Sequence, residues 1–186
     1  MVQVALPTGD VSSYSDGGAD EWQINSSTTT NRYTAIDNGI GSSNTDYVCD
    51  TFQPFFGETP TTLEVALDGT LSSVAAGTGT LSMKAKNNGL GDEPQVNCAL
   101  FEGASSVYSF NASLTSSTAT TYTGTVDCST ISDFTDLRIK LVINGGSYFN
   151  SCPAHVLEVQ LEIPDAGGGG GGEGPKLNPE AFLMFL

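Results

Sequence analysis

Apolar and polar residues alternate with a period of two along much of this chain. Leu81, Met83 and Ala85 share one side of a run whose other side carries Ser82, Lys84 and Lys86. Leu137, Ile139, Leu141 and Ile143 oppose Arg138, Lys140 and Val142. Near the end, His155, Leu157, Val159, Leu161 and Ile163 oppose Val156, Glu158, Gln160 and Glu162, so strict alternation puts His155 on the inward side. One buried face and one wet face per strand is the pattern of antiparallel sheets packed against each other. It predicts strands at 46–52, 61–67, 79–86, 95–102, 106–114, 120–127, 136–143 and 155–163. A shorter strand opens the chain in VQVALP and is expected to stop at Pro7.

Turn residues separate these runs in LDGT, KNNGLGDEP, EGASS and NGGS. Residues 8–45 are rich in Gly, Ser, Thr, Asn and Asp, with Trp22, Ile24, Tyr33 and Ile36 to bury. They are expected to form a long wrapped lead-in with one or two brief extended pieces. STISDFTDLRIKL predicts one helical turn capped by Ser132 or Asp133. Eight or nine strands at this spacing predict an all-β, two-sheet antiparallel sandwich over residues 1–165. Jelly-roll topology is preferred to an immunoglobulin-like one, because Trp22 precedes every cysteine and the Cys…Trp…Cys order is missing.

Composition sharpens this picture. Charged residues are 15% of the chain, against roughly a quarter in ordinary domains, and no sustained run of helix formers occurs. The formal net charge of −15 repels phosphate backbones and anionic bilayers, which argues against nucleic-acid and membrane partners. MVQVALPTGD has neither a basic n-region nor an apolar h-region, so no cleaved secretory peptide is expected. The cysteines at 49, 98, 128 and 152 form no C-x-x-C pair and accompany a single His, a poor set for zinc. Cys49, Cys98, Cys128 and Cys152 are candidate disulfide partners in any of three intrachain pairings or between chains; buried free thiols are the alternative.

Candidate chemistry is sparse, and no catalytic, cofactor or metal residues are assigned. His155 has no recognisable nucleophile or orienting acid in sequence, and a structural role is expected. Glu158 and Glu162 lie four residues apart on one strand face, roughly 13 Å, too far for a glycosidase pair, and read as solvated charges. Acids in SDGGADE and NTDYVCD lack calcium-loop spacing, and GGGGGG lacks the ending of a phosphate loop. Asn25-Ser26-Ser27 and Asn111-Ala112-Ser113 fit the glycosylation sequon and read as turn and strand residues.

TAIDNGIGSSNTDYV, ISDFTDLRIKLVI and HVLEVQLEIPDA together resemble a β-sandwich domain of tailed-phage and marine-metagenome structural proteins. The resemblance runs from Trp22 to Ala166 and is marked by Ile36-Asp37, Asp46-Tyr47, Asp136-Leu137-Arg138 and Leu161-Glu162-Ile163-Pro164. The four cysteines and the missing aromatic in the last strand depart from it. It implies a virion location for a protein made in the host cytoplasm. The expected role is non-enzymatic: capsid decoration or cement, with the major capsid protein or another virion protein as partner, and a trimer favoured. Neck, collar or tail-fibre placement is the alternative. A carbohydrate-binding adhesin module is a rival of another class, with Tyr14, Tyr33, Tyr108, Tyr122 or Tyr148 as sugar platforms.

Beyond the sandwich, residues 166–176 read as a Gly-rich flexible linker, and 177–186 as an apolar docking arm ending in Phe182, Leu183, Met184, Phe185 and Leu186. The linker's coil span is roughly 18 Å, and fully extended it reaches about 36 Å. Full burial of the five terminal side chains is worth at most about 8–15 kcal/mol, less about 1–2 kcal/mol for each residue ordered. Docking on another molecule is the expectation, since an element patching its own domain needs no such tether.

Overall fold

The computed structural model describes residues 2–13, 22–26, 30–43, 45–50, 62–71, 77–89, 93–144 and 152–165. The strands are β1 (Val2–Ala5), β2 (Pro7–Ser13), β3 (Trp22–Ile24), β4 (Val48–Asp50), β5 (Thr62–Leu67), β6 (Thr78–Asn87), β7 (Gln95–Glu102), β8 (Ser105–Ser113), β9 (Thr120–Asp127), β10 (Leu137–Asn144) and β11 (Ala154–Pro164). Among the described residues they form two antiparallel sheets, β3-β4-β11-β6-β9 with β1 also on β11, and β2-β5-β10-β7-β8. This is the expected sandwich. Its core lies between the sheets, with Leu81, Met83, Ala85, Val159, Leu161 and Ile163 from one facing Leu63, Val65, Leu100, Ile139 and Leu141 from the other.

The opening segment departs from its sequence reading. Pro7 does not end a strand; it begins β2, and the chain changes sheet at Leu6. Proline suits that place because β2 is an edge strand and its first residue needs no ladder donor. The lead-in also holds a short 3₁₀ turn, Arg32–Ala35, which no hydrophobic period announced. Both carboxylate oxygens of Asp10 fix it, accepting the backbone N–H of Arg32 and of Tyr33 at 2.9 Å each. Arg32 is itself buried, with Nη1 3.3 Å from Asp10 and Nε donating to the carbonyl of Trp22. Asp10 thereby ties the edge of one sheet to the segment following β3 at the edge of the other.

The predicted helical turn forms earlier than expected. It spans Cys128–Thr130, with Asp127 accepting the backbone N–H of Ser129 at 3.0 Å. Ser132 and Asp133 instead give their N–H groups to Glu102, whose carboxyl the Ser132 hydroxyl and these amides hold below the usual range. Tyr108 packs over Gly124, where a Cβ would meet the ring at 2.5 Å, so a larger residue there would have to displace the ring.

The largest correction falls in β11. Val156 pairs with Ala85 and Glu158 with Lys84, so Leu157 is an extra residue and the register shifts there. One inserted residue reverses which face every preceding side chain points to. His155 therefore pairs with Lys86 on the outer face rather than starting the inward one, while Ala154 and Val156 are buried.

Candidate functional site

Two outer surfaces carry organised polar side chains. The first is the outer face of the five-stranded sheet. Register places Ala66, Arg138 and Phe101 in one row across β5, β10 and β7. Glu64, Lys140, Ala99 and Ser109 form the next row, and Thr62, Val142, Asn97 and Asn111 the third. Each row arises because the inward partners, such as Val65 with Ile139 and Leu100, are committed to the core.

Glu64 organises this face. Its two oxygens lie 3.1 Å from Arg138 Nη1 and 3.3 Å from Lys140 Nζ. Arg138 also donates from Nε and Nη2 to Asp136, at 3.1 and 2.9 Å, and these carboxylates push its high pKa higher still. Lys140 Nζ sits 4.0 Å from the centroid of the Phe101 ring. Asn97 Nδ2 donates to Asn111 Oδ1 at 3.1 Å. Two cations offset two carboxylates, and among the described residues Arg138 spends three of its five N–H groups on these acids and Lys140 one of its three. Phe101 supplies an apolar ring among them. Side chains already fixed by neighbours lose little entropy on binding.

The second surface lies at one end of the six-stranded sheet. Tyr47 stacks on His155, ring centroids 3.8 Å apart and planes 9° from parallel. Ser26 Oγ is 3.2 Å from Tyr47 Oη and 3.4 Å from Cys152 Sγ, and Asn25 Nδ2 donates to Asp46 at 2.8 Å. Asn25, Ser26 and Cys152 all hold positive φ, at 48°, 60° and 59°, conformations side-chain-bearing residues rarely adopt. The Cys49–Cys152 disulfide joins β4, which follows Tyr47, to the residues leading into β11, which carries His155.

Burial pushes the His155 imidazole down to about 4, and Lys86 adds in the same direction. Below pH 6.5 the unfolded chain takes up a proton that the folded chain refuses until about pH 4, so stability falls through that window. His155→Gln is expected to flatten the loss between pH 6.5 and 4, measured as denaturation midpoint against pH. An unchanged slope would show that carboxylates alone set it.

Of the four cysteines, Cys49 and Cys152 are bonded; Cys98 and Cys128 are free and buried. Cys98 is on β7 of one sheet and Cys128 follows β9 of the other, and both side chains are committed to the core. Tyr33, Tyr108 and Tyr122 are partly buried against the core, while Tyr14 and Tyr148 lie outside the described residues. So do the acids of SDGGADE, the linker 166–176 and the whole arm, including Phe182, Leu183, Met184, Phe185 and Leu186.

Glu158 is not solvated. It is fully buried, accepting from Lys84 Nζ at 3.1 Å, Gly41 N at 3.2 Å and the Ser42 hydroxyl. The segment 36–43 covers it, and Ile40 N donates to Gln160 at 2.7 Å beside it. Glu162 remains partly exposed and accepts from Gln160 Nε2.

No family model matches the sequence, and no curated protein matches it. Solved structures do. A cyclase from Fischerella sp. TAU, in complex with 4-(1H-indol-3-yl)butan-2-one, is similar with TM-score 0.53 at 15% identity, over 88% of this chain and 85% of that one. The C-terminal CBM6 of LamC, a marine laminarinase from Zobellia galactanivorans, gives TM-score 0.45 at 9% identity, over 88% and 99%. The carbohydrate-binding module CBM6cm-2 of Cellvibrio mixtus lichenase 5A, in complex with cellotriose, gives 0.44 at 11%, over 87% and 97%. At such identities the likeness to the cyclase is one of fold, the two-sheet sandwich, and carries none of its chemistry.

Proposed function

We propose that this chain is a non-enzymatic recognition module that holds an uncharged glycan on the outer face of its five-stranded sheet. The observation carrying this reading is the fixed set around Phe101: Arg138 and Lys140 anchored on Glu64, with Asn97 and Asn111 alongside. Sugars offer C–H faces for an aromatic ring and vicinal hydroxyls for planar amides and guanidinium groups. A pre-ordered set of both kinds on a sheet suits them. Net charge selects among sugars: a −15 body repels polyanions, while a face whose own charges cancel receives a neutral chain without penalty. Glu64, with an oxygen on each of two cations, serves as an anchor rather than a proton carrier.

Titration calorimetry against a panel of neutral and uronate-bearing polysaccharides tests this. Binding is expected for at least one neutral glycan, and Asn111→Ala and Phe101→Ala are each expected to weaken it about tenfold, or ~1.4 kcal/mol. Asn111 is exposed, so its variant leaves the fold intact. Silence across the panel, or binding indifferent to both variants, sinks the proposal.

A second reading keeps the virion role implied by the sequence resemblance. The apolar arm on its Gly-rich tether favours it, as a means of attachment to a particle. Mass spectrometry of purified particles decides by presence and copy number.

A further inference from the structure

Among the described residues, the large apolar side chains left exposed are Val2, Val4 and Val11, at 60%, 46% and 40%. All three stand on β1 and β2. β2 ends the order of the five-stranded sheet, and β1 lies off the main path of the six-stranded one, hydrogen-bonded to β11. Natural sheets blunt such margins with charge, and valines there mark a surface meant to be covered. Ala5 turns into the core while Val2 and Val4 pair with Pro164 and Glu162 on the outer face.

We propose that residues 177–186 of one copy dock along the β1 margin of a second copy, on the side that carries Val2 and Val4. The occupant matches in chemistry: Phe182, Leu183, Met184, Phe185 and Leu186 are apolar, and the margin offers branched apolar side chains to pack against. The tether matches in length. β11 ends at Pro164, paired with Val2, so each arm springs from beside its own margin. Reaching that margin in cis takes a loop of about 2–5 residues. Residues 166–176 supply eleven, with a span of roughly 18 Å and a reach of about 36 Å, a distance suited to a neighbouring body. Charge points the same way. Two −15 bodies repel when placed face to face, whereas an arm of low charge joins them at a distance. This contact is independent of the glycan face, and either can fail without the other.

Sedimentation velocity of the full chain across a concentration series tests it, at low and high salt. Association is expected, stronger at high salt where repulsion is screened. Val2→Ser with Val4→Ser, both exposed, and separately Leu183→Ser with Phe185→Ser, are each expected to weaken it at least tenfold. Mixing the two double variants is expected to restore a heterotypic complex, because one retains a working arm and the other a working margin. A wild-type chain that stays monomeric, or association untouched by either pair, overturns the proposal. A monomer whose own arm protects β1 from hydrogen exchange overturns it in favour of docking in cis.

Discussion

Replacing both Cys49 and Cys152 with serine is expected to lower the unfolding free energy by about 4–5 kcal/mol. The bond links residues 103 apart, and closing a loop of about 100 residues removes roughly that much from the unfolded chain's entropy. Against the ~5–15 kcal/mol that holds an ordinary domain together, this is a large share. The effect is also local. β4 meets β11 at the register pair Val48 and Val156, and beyond it the disulfide and the Cys152 N–H to the Asp50 carbonyl tie β4 to the residues entering β11. Once the disulfide is gone, Tyr47 loses its fixed seat on His155. Guanidinium denaturation of the double variant, with hydrogen exchange across 45–50, checks both parts. A midpoint shift worth under about 1 kcal/mol would show that the bond adds little to a chain already held by its sheets.

Glu158→Ala is expected to cost about 3 kcal/mol. Its carboxylate is fully buried and receives Lys84, Gly41 N and the Ser42 hydroxyl. Breaking a buried pair by removing one partner costs about 3–5 kcal/mol. The lower end applies because the Lys84 side chain is 20% exposed and can turn to water. Glu162→Ala, on the same strand face but partly exposed, is expected to change stability by under about 0.5 kcal/mol. The contrast is the test, read as urea midpoints alongside the exchange rates of Ile40 and Gly41. Equal effects would refute the account of segment 36–43 as a cover pinned by Glu158.

That contrast also shows where the sequence was legible. Alternation located β7 and β9 to the residue and β5, β6, β8, β10 and β11 to within one, because each carries regular inward residues such as Val96, Cys98 and Leu100. It missed β2, whose PTGDVSS has no apolar period and is ordered by pairing with β5. It misplaced His155 because Val156 and Leu157 are both apolar, and a bulge between apolar neighbours leaves the written pattern intact. That adjacent pair was the one available signal. The polar sides of β10 and β11 were readable, but not their partners. Glu64 lies 74 residues from Arg138, and Gly41 lies 117 from Glu158; only strand register and chain wrapping unite them. On the outer face of the five-stranded sheet, therefore, the donors were visible one strand at a time, and their assembly was not.

Cys98 and Cys128 give the molecule an internal gauge. Burial pushes both thiols above the ordinary range, Cys98 far above it, and Cys98 is fully buried. Only the thiolate attacks an alkylating reagent, displacing its halide, so these sulfurs stay silent while the sheets remain together and answer when they part. The rate at which iodoacetamide marks Cys98 thus counts excursions of the whole sandwich, with no foreign label added.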